Sequence, residues 1–174
     1  MNNGLLVLYL LRHFWKRTVM LFLEQQYLEL ENVLSYRTRV DINRLNGILS
    51  YVEKNADALG LTVTGNILFT VTEKISEHNK CIVGIEILIP VNKKFESCEQ
   101  YIYKPVFKLV NAVSVRHCGM YSDIEMISSL LEGFLKESNL KPISNIYYMA
   151  VRNDEDHPLS SILDAYVSVN GNLL

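Results

Sequence analysis

The chain has no run of Lys and Arg longer than a pair, and its 17 basic residues are balanced by 19 acidic ones, for a formal charge of −2. Phosphate backbones are held by a concentrated basic face, so nucleic acid is not expected as the partner. Its three cysteines, Cys81, Cys98 and Cys118, form no CxxC, and His78 and His117 do not stand at zinc-ligand spacing from a second pair. No metal site is expected, and the thiols read as free cysteines of a reducing compartment. Nucleophile elbows and phosphate-binding glycine loops are also missing, and no cofactor is expected. A membrane span needs about 20 mostly apolar residues. Here the apolar run 5–11 is followed by Arg12, His13, Lys16 and Arg17 before residues 19–23 turn apolar again. Those charges exclude a stable membrane span. They follow the apolar run rather than precede it, and no small-residue cleavage site comes after, which excludes a secretory signal. A cytoplasmic protein is expected.

What the chain does contain is a repeated pattern. Residues 30–91 and 109–170 each read strand, helix, strand, strand, offset by about 80 positions along the sequence. Asp41-Ile42 and Asp123-Ile124 open the helices, Asn66-Ile67 and Asn145-Ile146 the third strands, and residues 86–91 match 164–169. Each half is near the lower size limit for folding alone, so one shared core is expected over residues 28–170. With 49% hydrophobic residues there is enough apolar matter for it. Residues 1–27 form an extension with three readings: a membrane-surface helix anchored by Trp15, a helix docked on the main domain, or a stretch upstream of a true start at Met20.

The first helix is expected from Asp41 as N-cap to Gly60 as stop. Its apolar stripe is Ile42, Leu45, Leu49, Val52, Ala56 and Leu59. The second has Ile124, Ile127, Leu131, Phe134 and Leu135 on one side, a Ser122–Glu125 capping box, and Asn139 with Pro142 at its end. Strands are expected at 30–40, 66–74, 81–89, 106–117, 145–152 and 161–169, with 92–104 an exposed linker and 153–158 an acidic turn. Alternation turns Cys81, Val83, Ile85, Ile87 and Ile89 toward the helices, and Leu163, Ala165, Val167 and Val169 likewise. Glu86 and Asp164 then lie together on the helix-free face. A polar residue on such a face either serves a site or pairs with an Arg or Lys across the sheet. Tyr148 and Tyr166 either line the groove or pack, and His117 reads as a hydrogen-bonded structural residue.

The segment His117-Cys118-Gly119-Met120-Tyr121, a strand ending in His-x-Gly-x-Tyr before a helix, resembles the GyrI-like small-molecule-binding family, as do Tyr148 and the closing Asp164-Ala165-Tyr166-Val167. That family includes effector-binding domains of bacterial transcription activators. The resemblance covers roughly residues 28–170. It implies an α+β fold: two βαββ repeats related by a pseudo-dyad, forming an antiparallel sheet with helices on one face and a groove on the other. The family usually has Pro at the place of Met120 and more often Glu at the place of Asp164. The resemblance implies a stand-alone module that senses or sequesters a small amphipathic molecule, a lipophilic cation above all, at Glu86, Asp164, Tyr148 and Tyr166. Two other readings stay open. One is a hydrolase with Glu86 as general base and Tyr148 as donor. The other is an adaptor or inhibitor that binds a protein partner.

Overall fold

The computed structural model describes residues 6–9, 20–77, 80–119, 123–151 and 161–170. The strands are β1 (Leu6–Tyr9), β2 (Met20–Asp41), β3 (Ile67–Glu77), β4 (Lys80–Pro90), β5 (Tyr101–Gly119), β6 (Lys141–Pro142), β7 (Tyr147–Val151) and β8 (Ser161–Asn170). The helices are α1 (Leu45–Ala58) and α2 (Ile124–Glu137). The fold is α+β, with the strands antiparallel; α1 stands between β2 and β3, and α2 between β5 and β6. The acidic turn at 153–158, Ser122 of the expected capping box, and Met120-Tyr121 lie outside the described residues.

The sheet order is β2-β4-β3-β7-β8-β5, and β5 pairs again with β2, so the order closes on itself. Closure is possible because β2 is long. Its residues Val33–Tyr36 pair with β4 along one edge and with β5 along the other, while Phe22–Glu31 continue along β5. β1 pairs with the start of β2, and β6 with β8.

Several boundaries differ from the sequence expectation. β2 begins at Met20, not at residue 30, because Phe22 is buried and stacks on Phe134 of α2 at 4.4 Å. Gln25 and Asn32 have φ of 56° and 51°, which breaks the alternation that single-strand reading relies on. β5 begins at Tyr101, inside the expected linker. Tyr101 is buried and accepts a 3.0 Å hydrogen bond from Asn55 of α1. Asp41 caps Asn43 N as expected, but residues Ile42–Arg44 form a 3-10 turn and the α-helix starts at Leu45. Leu59 lies beyond that helix and is exposed.

Two apolar clusters flank the sheet. The larger joins Leu45, Leu49, Val52 and Ala56 of α1 and Ile124, Ile127, Leu131, Phe134 and Leu135 of α2 to Val83, Ile85, Ile87, Ile89, Leu163, Ala165, Val167 and Val169. Each fully buried Leu or Ile here contributes about 1.5–3 kcal/mol from burial. The smaller cluster lies on the opposite face. It is Val33, Leu68 and Leu88, with Leu28, Leu30, Phe107, Tyr147 and Met149 packed against it, partly exposed.

Candidate functional site

Residues directly opposite in antiparallel strands share a face. The register therefore draws two belts around the helix-free face. One runs Arg37–Glu86–Thr70–Tyr147–Tyr166–Ser114, the other Ser35–Leu88–Leu68–Met149–Asp164–Arg116. Glu86, Asp164 and Tyr166 thereby lie on one face, with Glu86 three strands away from Asp164 and Tyr166. Solvent reaches the face, since the side chains of Arg37 and Arg116 are 66% and 60% exposed.

Both carboxylates are buried and engaged by cations. Glu86 Oε1 accepts from Ser35 Oγ at 2.6 Å and from Lys104 Nζ at 2.7 Å, with Arg37 Nε at 3.3 Å. Burial pushes its carboxyl up, but the bonds from Lys104 and Ser35 outweigh that and hold it below the usual carboxylate value. Arg116 donates to Asp164 as a bidentate fork, Nε to Oδ1 and Nη2 to Oδ2, both at 2.6 Å. Glu86 on β4 thus stands opposite Arg37 of β2, and Asp164 on β8 opposite Arg116 of β5. Burying a carboxylate is costly unless it is paired and hydrogen-bonded, and these two are.

The tyrosines separate. Tyr166 stays on the face, where burial, and then the adjacent Asp164 carboxylate, push its phenol up to about 12. Tyr148 is on the other side of the sheet. It stacks on Phe69, and its hydroxyl meets Ser128 Oγ of α2 at 2.5 Å. There it lines a cavity of about 310 Å³ with Ser128, Glu132, Leu135 and Ile146. A second cavity, about 380 Å³, lies beside Asn32 and Pro90. Glu86 and Asp164 line neither of the two.

Tyr147, the neighbour of Tyr148, stands on the carboxylate face, opposite Tyr166. Its ring packs edge-on against Phe107 at 4.8 Å. Burial raises its phenol, followed by the charge of Glu86. The sequence carried a signal for it. Once Asp164 and Tyr166 are placed on the face, the strand beside them contributes either Tyr147 and Met149 or Tyr148 and Ala150, and register decides. Ser35, Arg37, Lys104 and Arg116 were also missed, because cross-strand partners are set by register alone. His117 lies on the helix side, buried, its Nε2 2.9 Å from Asp123 at the start of α2. Its Nδ1 has no partner among the described residues. Those residues also show no group of three or more His, Cys, Asp or Glu able to hold a metal, and no helix long and apolar enough to cross a membrane.

No protein-family model matches the sequence, and no curated protein matches it. Solved structures do resemble it. EcmrR in its cryo-EM complex with DNA superposes with a TM-score of 0.69 at 16% identity, over 86% of this chain and 57% of that chain. The crystal structure of the EcmrR C-terminal domain gives 0.60 at 15% identity, over 84% of this chain and 98% of that domain. An uncharacterized conserved protein from Listeria innocua gives 0.50 at 8% identity, over 84% and 92%. At such identities the likeness shows the fold alone, and the fold is that of the EcmrR C-terminal domain. This chain spans 57% of the length of EcmrR in the DNA complex, and the DNA is that protein's.

Proposed function

We propose that this chain is a GyrI-like ligand-binding module, its halves related by a pseudo-dyad, that senses or sequesters a small amphipathic molecule on the helix-free face. The observation that carries the reading is the pairing of unlike surfaces there. A partly exposed apolar cluster, with Phe107, Tyr147 and Met149 at its surface, borders two buried carboxylate–cation pairs. Ligand sites combine an apolar lining with a few placed polar groups in this way. The likeness to the EcmrR C-terminal domain supports the same reading, and the repeated arginine–carboxylate pair supports the pseudo-dyad. Tyr148 enters only as packing behind the face. The hydrolase reading is weaker, because a carboxylate held below its ordinary range is a poor general base.

The test is saturable binding of Nile red, an uncharged amphiphilic dye, to the full chain. Binding is expected to weaken about tenfold (roughly 1.4 kcal/mol) in Met149→Arg and in Tyr147→Leu, and to persist in Glu132→Ala on the helix side. Dye binding that ignores both face variants would place the site elsewhere.

A further inference from the structure

We infer that the helix-free face selects amphiphiles with an anionic head, held between Arg37 and Lys104, and disfavours cations. This rests on the ligand-binding reading above and reverses the head charge expected from the sequence. Among the described residues this face carries Arg37, Arg39, Lys104 and Arg116 against Glu73, Glu86 and Asp164. Arg39 belongs because it stands opposite Gly84, two residues along from the Arg37–Glu86 pair. Glu73 belongs because its side chain lies over Gly84, where a Cβ would come within 2.4 Å of its Cγ. Every one of those carboxylates already has a cation against it: Arg39 on Glu73, Lys104 and Arg37 on Glu86, Arg116 on Asp164.

The consequence is asymmetric. A cationic ligand reaching Glu86 meets Lys104 and Arg37 already on Oε1, and must either displace Lys104 or share the carboxylate with two like charges. Like charges at such separations repel strongly where water is scarce. An anionic head displaces nothing. Arg37 turns Nε toward Glu86 and has further N–H donors on a side chain that is 66% exposed. Lys104, 31% exposed, has donors beyond the one given to Glu86. The apolar body has a place in the same belt. From Arg37 the register steps through Glu86 and Thr70 to Tyr147, at most about 15 Å along three strand spacings. Phe107 and Met149 flank Tyr147 there. A carboxylate, sulfonate or phosphate monoester on a short hydrocarbon or aromatic body matches this layout.

The experiment titrates the full chain by calorimetry with three probes that share one tail: octanoate, 1-octanol and octylammonium. Octanoate is expected to bind about tenfold more tightly than octylammonium. Arg37→Gln should weaken octanoate several-fold more than octanol. Glu86→Gln gives opposite signs for the two head charges. It strengthens octanoate, because Lys104 and Arg37 lose their internal competitor, whereas a cation site would lose affinity. Octylammonium binding as tightly as octanoate, or octanoate weakening in Glu86→Gln, overturns the inference. Should Glu86→Gln not fold, the exposed Arg37→Gln decides alone, and octanoate unaffected by it overturns the inference equally. Equal, Tyr147-dependent binding of all three probes keeps the ligand-binding reading and sinks the head preference. Binding of none sinks both.

Discussion

Glu86 is held by donors from two other strands, Ser35 and Arg37 on β2 and Lys104 on β5. Its folded pKa lies below the ordinary 4.5, so its contribution to stability is present above that value and is lost as pH falls through the folded pKa. Urea unfolding between about pH 6 and pH 3 should therefore cost the wild type more stability than Glu86→Gln; identical losses would mean Glu86 is not the group responsible. Tyr166 works at the other end of the scale. Its phenol is raised to about 12 from 10.0. The neutral form is thus favoured in the folded state, and this stability is present below about pH 10 and lost as pH rises toward 12. Spectrophotometric titration should show one fewer phenolate at pH near 11 in the wild type relative to an unfolded control than in Tyr166→Phe relative to its own control.

At the scale of the element, the bends of β2 are made by residues with left-handed backbone. Asn32 has φ of 51° and accepts a 2.7 Å hydrogen bond from the Tyr103 hydroxyl of β5. Asn32→Ala removes the bond and places a Cβ-bearing residue without a local polar group in that conformation, a loss of about 1–3 kcal/mol. Asn32→Gly loses the bond but fits the backbone and should be milder in thermal melts; equal losses would show that the backbone angle costs nothing. The same bends explain what the sequence hid. In β4 and β8, unbroken alternation made the buried faces legible residue by residue, from Val83 to Ile89 and from Leu163 to Val169. In β2, Gln25 and Asn32 shift which side chains face inward, so the first ten residues of the strand did not read as one. β7 is five residues long and apolar or aromatic on both sides, which left Tyr147 and Tyr148 equivalent until register was known. The carboxylates at Glu86 and Asp164 were visible as polar interruptions of apolar strands. Their cation partners were not, because pairing across strands joins positions as distant as Arg116 and Asp164.

For the molecule as a whole, the closed strand order means that neither half completes its sheet alone. β3 of the first half pairs with β7 of the second, and β2 pairs with β5. Both helices share one buried cluster. Unfolding should therefore be a single transition, with far-ultraviolet circular dichroism and tyrosine fluorescence giving coincident urea midpoints; separated midpoints would show two independently stable halves. Closure also sets a clock on the backbone. The segment Val33–Tyr36 is paired with strands on both edges, whereas Glu24 to Glu31 face β5 on one edge only. Amide protons open to solvent in proportion to the structure that must come apart to free them. Placed in heavy water, the sheet should take up deuterium first at its singly paired rims and late at doubly paired segments such as Val33–Tyr36, at a rate that reports the opening of the entire ring.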